Sequence, residues 1–396
     1  MTDGYAKSPD AALRFPPPLL SQGQACCGVR NSTHHSSGVA RHACEVFAKP
    51  SAKLRIPGEI RDGSRFLREK SGAVPIFRNQ RGIALILVLL MVSIIVALTI
   101  QLNRSQRSEI YEAANLSDGI RLRYVAQSAF YAGEAILLTD KNAFDALTED
   151  WAKTEMLALK SEGLFDNASF SLLIEDEGGK IPINRLISGN GYNTQIRDLL
   201  LRLLTGPFFR LPQRQAEEVI DAIKDWIDAD DEDTGDGAEG GHYAGLDRPY
   251  AAKNASLDCI EELLMVKGIS RELFYGTGET AGLVQCLTVF GDGRININTA
   301  PKAVLRALSA EMTDEAVNRL DEYRREEKND LANPTWYSRV PETTGLNIPA
   351  GLMSVRSDTF RITAVGLQGR MMERITGIVK RETGGRKVKL LSWRME

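Results

Sequence analysis

An unbroken apolar run dominates the hydrophobic pattern of the chain. Residues 83–102 read IALILVLLMVSIIVALTIQL, twenty positions without charge, Pro or Gly. At about 1.5 Å per residue such a helix spans roughly 30 Å, the depth of a bilayer core. A helix that is apolar on every face is buried or crosses a membrane, so a single membrane anchor is expected. A cleavable signal peptide fits less well, because Asn103-Arg104-Ser105-Gln106-Arg107 follows without a small-residue cleavage pattern. Further on, Leu122, Val125, Ala129, Ala132 and Ile136 recur at spacings of three and four. That period predicts one helix, continuous with the apolar run, to about Leu138.

The pattern then changes to short strands and helices. Ser169–Glu175 alternates as a strand, Asp176-Glu177-Gly178-Gly179 reads as a turn, and Lys180–Asn184 reads as a further strand. Helices are expected over Asn193–Leu204 and Arg214–Asp228, the second with Val219, Ile220, Ile223, Trp226 and Ile227 on one face. The segment Ile181-Pro182-Ile183-Asn184 has a counterpart in Ile295-Asn296-Ile297-Asn298. Each follows a Gly-containing turn and precedes a helix, the mark of a short internal repeat. Asn298 or Thr299 is the expected N-cap of the second helix, with Pro301 in its first turn. Thr359–Val365, Met372–Val379 and Lys387–Leu391 read as a three-stranded antiparallel meander.

Composition divides the chain at Gly82. Residues 1–82 hold 13 Lys+Arg against 6 Asp+Glu, and the remainder holds 36 against 46. The first part has a Pro triplet at 16–18 and no sustained period, so it does not read as a domain. The second part is acidic, which argues against a nucleic-acid binder, since phosphate contacts dominate that affinity. Five cysteines in 396 residues are too few for a disulfide scaffold. Cys259 and Cys286 remain a possible pair if the head lies in an oxidising compartment. Hydrolase, nucleotide-binding and zinc-protease motifs are missing from the sequence, so no enzyme activity is expected.

The densest charge lies at residues 221–239, DAIKDWIDADDEDTGDGAE, with nine acidic side chains and one basic. Carboxylates this close repel one another unless they are solvated, protonated or bridged by cations. Hard oxygen ligands on a Gly-containing loop suit Ca²⁺, which takes six to eight of them. Asp228, Asp230, Glu232, Asp236 and Glu239 match positions 1, 3, 5, 9 and 12 of the EF-hand loop. Asp233 stands where that loop needs Gly, so a true EF-hand is not expected. A solvated acidic loop is the plain alternative, and His242 nearby reads as an ordinary loop residue.

The segment Ser256–Ile269 has the cadence of a helix-hairpin-helix element, as does ININTAP with its helix. Backbone amides at such a turn can hold DNA phosphate, but no Lys/Arg cluster adjoins either turn.

The junction before the apolar run is more telling. Arg78-Asn79-Gln80-Arg81-Gly82, abutting an uncharged helix, resembles the prepilin peptidase site of type IV pilins and pseudopilins. In that family the cut falls after the Gly, here between Gly82 and Ile83, and the new amine is methylated. Most members carry Glu at the fifth mature position. Here it is Leu87, and no acidic residue occurs before Glu109. The minor pseudopilin K subclass of type II secretion systems lacks that Glu as well, and the acidic loop, ININTAP and the terminal meander resemble it too. A leader of 82 residues is long for this family. A non-ATG start at Val74 would give nine residues ending RNQRG, and a start of that kind is expected.

The resemblance implies an α+β, pilin-like fold: a long N-terminal helix packed on a C-terminal antiparallel sheet, with a large inserted helical, SAM-like domain. The implied layout is leader 1–82, membrane-spanning 83–102, helix and first strands 103–183, helical insertion 184–345 and meander 346–396. It also implies Ca²⁺ held by members of the set Asp228, Asp230, Asp231, Asp233 and Glu239. Implied partners are the minor pseudopilins I and J, prepilin peptidase and the inner membrane, with the head in the periplasm and no nucleic acid. The protein would cap the tip of a periplasmic pseudopilus, where no further subunit sits above to pair with the missing Glu. Two other readings stand beside this one: a membrane-anchored periplasmic helix-hairpin-helix protein for DNA uptake, and a calcium-dependent anchored adaptor unconnected to secretion.

Overall fold

The computed structural model describes residues 81–154, 163–189, 191–278, 280–382 and 387–396. The expected leader, with Val74, therefore lies outside the described residues except for its last two positions. Helix α1 runs from Arg81 to Thr139. The chain divides into two units between Leu116 and Ser117. In the first, every Ile, Leu, Val and Met side chain of 83–102 is at least half exposed. Ser93 Oγ donates to the Leu90 carbonyl and Thr99 Oγ1 to that of Ile95, each at 2.7 Å. The hydroxyl donors are thus satisfied inside the helix, as hydrocarbon surroundings require. One long apolar helix fits a single-pass anchor.

In the second unit, α1 buries Leu122, Val125, Ala126, Ala129, Phe130 and Leu137 as one stripe. Ala132 and Ile136, expected in the core, are only half-buried, because the stripe passes through Phe130 and Leu137 instead. Strand β1, Ser169–Asp176, turns Phe170, Leu172 and Ile174 into the same core.

The chain then leaves the sheet from Glu177 to Asp358. Strand β2, Ile181–Pro182, is only two residues long and passes into a 3₁₀ turn, Ile183–Arg185. The expected five-residue strand stops because Pro182 has no N–H to extend a ladder. Helices α2, Thr194–Thr205, and α3, Gln213–Ile227, follow. Strand β3, Leu287–Thr288, closes the unit by pairing in parallel with β2. The arrangement repeats: strand β4, Ile295–Asn296, then helices α4, Lys302–Ala307, and α5, Asp314–Arg325, then strand β5, Met353–Ser354, parallel to β4.

The repeated Asn plays the same part in both copies. Asn184 exchanges hydrogen bonds with the Leu257 backbone and donates to the Val289 carbonyl. Asn298 donates to the Leu331 carbonyl and accepts from Trp336 Nε1 at 2.7 Å. Asn298 is therefore not the N-cap that its position predicts. Thr299 is not either, because its hydroxyl donates to Asp176, and Pro301 stands at the cap. Both copies share one hydrophobic core.

Strands β6, Thr359–Gln368, β7, Met371–Arg381, and β8, Val388–Met395, form the expected meander. The sheet has the order β1-β6-β7-β8, antiparallel throughout, so β1 adds a fourth strand across the excursion. Phe360, Ile362, Ala364, Ile375 and Val379 face α1. The helix passes close over Gly366, where a Cβ would lie 2.4 Å from the Leu122 carbonyl oxygen. Overpacking against rigid backbone costs about 1–3 kcal/mol, so Gly366→Ala is expected to lose that much in urea unfolding. A variant as stable as the native chain would mean that α1 does not seat there.

A buried polar cluster ties the excursion to the sheet. Asp176 Oδ2 accepts from Asn296 Nδ2, Thr299 Oγ1 and Ser357 Oγ at 2.9, 2.6 and 2.6 Å. Arg381 donates to Asp140, Asp145 and the Ser357 carbonyl, and the Ser357 amide donates to Asp145.

Candidate metal centre

Helix α3 is amphipathic and buries Val219, Ile220, Ile223, Trp226 and Ile227, the face read from the sequence. Its last turn brings Asp225 and Asp228 into the domain floor, where the acidic loop folds back over them. Asp225 accepts from the amides of Thr234 and Ala238, at 3.1 and 2.8 Å, and Asp221 from that of Asp236. Two glycines permit this approach. A Cβ on Gly235, whose φ is +56°, would lie 2.3 Å from Asp221, and one on Gly237 would lie 2.0 Å from Asp225. Lys267 Nζ clamps the loop from outside, donating to the carbonyls of Asp236 and Gly237.

The fold gathers three of the five expected ligands. Asp228, Asp230 and Glu239 bring one carboxylate oxygen each within 4.8 Å of one another. These are EF-hand positions 1, 3 and 12 of the sequence match. Asp228 is 3% exposed and Glu239 is 4% exposed. Asp228 Oδ1 and both Glu239 oxygens are buried without a hydrogen-bond partner. Asp228 Oδ2 accepts from Lys224 Nζ at 2.5 Å. Burial, with Asp225, Asp228, Asp231 and Asp230 around it, pushes the Glu239 carboxyl up to about 7.

A buried carboxylate with no donor is costly. Three such oxygens from two side chains, converging beside a third acidic side chain, Asp230, form a donor set for a hard cation. Asp231 and Asp233 are engaged elsewhere. Asp231 Oδ1 accepts from Asn254 Nδ2 at 2.8 Å, and Asp233 Oδ1 from the Glu239 amide at 3.1 Å. His242 is exposed and packs on Tyr243, outside the gathered triad.

Sequence reasoning assigned no role to Asn254, Lys224 or Lys267. Only Asn254 carried a usable signal, since Asn is among the few residues that accept a left-handed backbone, here φ +46°. Lys267 also bears on the helix-hairpin-helix reading. It precedes the turn at Gly268, yet its amine is spent on loop carbonyls rather than offered to phosphate.

A second carboxylate group, Asp140, Asp145 and Glu149, differs in kind. Its oxygens accept from Arg381, Asn142, Ala146, Trp151 and Ser357, so it is a hydrogen-bonded network. Burial pushes the Cys286 thiol up to about 12.

Comparison with known proteins bears on the whole head. A family model described as type II secretion system (T2SS), protein K, matches residues 179–276, the first copy of the repeat with the acidic loop. Type II secretion system protein K of Aeromonas hydrophila is 27% identical over 214 residues, 51% of this chain and 62% of that protein. The Pseudomonas aeruginosa protein of the same name is 28% identical over 259 residues, 63% of this chain and 74% of that one. The chain thus spans about three-fifths of the first of these relatives. A chain in the crystal structure of the GspK–GspI–GspJ complex from the enterotoxigenic Escherichia coli type 2 secretion system shares the fold. Its TM-score is 0.53 at 16% identity, covering 74% of this chain and 99% of that one. In sequence and fold the chain is similar to protein K of the type II secretion system.

Proposed function

We propose that this chain is the minor pseudopilin K of a type II secretion system, held in the inner membrane by Ile83–Leu102 with its head in the periplasm. It would assemble with the minor pseudopilins I and J and cap the tip of the pseudopilus, promoting its assembly. The observation that carries the reading is the helical excursion, with its acidic loop, set between β1 and β6 of a sheet that packs on α1. That added bulk suits a terminal position, where nothing packs above it. Calcium belongs to the same reading: Asp228, Asp230 and Glu239 would hold it, supplying the charge that their buried oxygens lack.

Processing provides the test. Prepilin peptidase is expected to cut after Gly82, leaving a chain that begins at methylated Ile83. A Cβ on Gly82 meets nothing within 4 Å, so Gly82→Glu leaves the fold intact and should abolish the cut. Intact mass of the membrane-extracted protein reads both outcomes. A native chain that retains residues before Gly82 would defeat the pseudopilin reading. Co-purification with pseudopilins I and J tests the partners, and salt-sensitive DNA binding would favour the uptake protein instead.

A further inference from the structure

We propose that Asn254 is the positioning residue of the acidic loop, the side chain that sorts its crowded carboxylates into those facing the cation and those facing away. The inference rests on the calcium reading above. Asn254 Nδ2 donates to two consecutive residues, to the Asp230 carbonyl at 2.9 Å and to Asp231 Oδ1 at 2.8 Å. One amide thus fixes both the backbone at Asp230 and the side chain of Asp231. With Asp231 held on the amide, Asp230 turns to Asp228 and Glu239. Four acidic residues stand in a row from Asp230 to Asp233, and their mutual repulsion would otherwise scatter them into solvent.

Two features show that the amide is set in place at a cost. Its backbone has φ +46°, a region that disfavours side chains other than Asn, Asp and Gly. Its Oδ1 is buried without a hydrogen-bond partner. The reversed amide would set Oδ1 against the Asp231 carboxylate and the Asp230 carbonyl, three acceptors together, so the donors dictate the orientation. Neighbouring bonds hold the segment from behind: Lys253 Nζ to Asp258 and Glu262, and the Leu257 amide to Asn184.

Asn254→Gly tests this, because Gly keeps the left-handed backbone and removes only the amide. Calcium is titrated calorimetrically into the native and variant full chains in detergent, and both are melted in chelator. The variant is expected to bind calcium at least about tenfold more weakly, the usual effect of losing a partner that orients metal ligands. Its melting midpoint in chelator should stay near that of the native chain. Equal calcium affinity in variant and native would overturn the inference. So would a chelator midpoint that falls as far as the calcium-loaded one, which marks a merely structural role. A native chain that binds no calcium would overturn the calcium reading and this inference with it.

Discussion

Withdrawing calcium is expected to loosen the first copy of the helical repeat and spare the second. The two copies meet the same need differently. In the second, α5 carries its own cation: Arg324 is 2% exposed, pairs with Asp321, and donates to the carbonyls of Ile297 and Ala300. In the first, Lys224 of α3 pairs with only one oxygen of Asp228, and the other, with both oxygens of Glu239 on the returning loop, is left unpartnered. A ligand bound only by the native state stabilises by about 4 kcal/mol at a thousandfold excess over its dissociation constant. Hydrogen exchange with and without chelator should therefore show lost protection across residues 213–245 and little change across 302–325. Equal loss in both copies would mean that the cation does not act at this loop. Glu239→Gln gives a sharper sign. With no cation present the native carboxylate is buried against four aspartates, so its neutral isostere should melt higher than the native chain in chelator. In calcium the order should reverse, because a ligand has been lost. A variant less stable under both conditions would reduce Glu239 to a packing residue.

Strong periodicity made part of this architecture legible in the sequence. The apolar run, the buried face of α3 and the three meander strands extend over many residues, so a single period identifies each. The parallel pairs β2–β3 and β4–β5 do not, because each strand contributes two residues and finds its partner 106 or 58 positions away. The Asn at each I-x-I-N end was visible, but its role was not. Local capping rules placed Asn298 at a helix start, whereas a tertiary partner, Trp336, took its side chain. At the candidate centre, composition marked the acidic stretch, and EF-hand spacing matched Asp228, Asp230 and Glu239 together with Glu232 and Asp236, which the gathered group does not include. Composition could not sort the triad from Asp231 and Asp233, since the sorting is done by Asn254 from another loop and by the Glu239 amide. The Arg381 cluster left no local trace at all, because its members come from five separate stretches of chain.

That cluster supports the second large effect, a loss of stability whose size depends on pH. Arg381 is buried among Asp140, Asp145 and the Ser357 carbonyl, with its guanidinium 5.1 Å from the Phe360 ring centre. Asp145 lies wholly inside, and burial pushes its carboxyl up to about 7, although the Ser357 amide and Arg381 pull it down and Asp176 pushes it further up. Unfolded, the same group titrates near 4. A folded value above the unfolded one means that the contribution of Asp145 is fully present below about 4 and is lost as pH rises through about 7. Arg381→Met keeps an apolar stem against Phe360 but removes the charge. At pH 8 native Asp145 is mostly ionised and paired, so the variant must protonate it or strand the charge, an added cost of about 1–1.5 kcal/mol for one pH unit above 7. At pH 5 Asp145 is protonated, so the variant loses little more than hydrogen bonds, each worth about 0.5–1.5 kcal/mol. Urea unfolding of native and variant chains at both pH values reads the difference, and the contribution of Asp176, common to both, cancels from it. A cost that is the same at pH 5 and pH 8 would mean that Asp145 stays ionised throughout. Arg381 would then hold a fixed ion pair, and its removal would strand the charge at every pH.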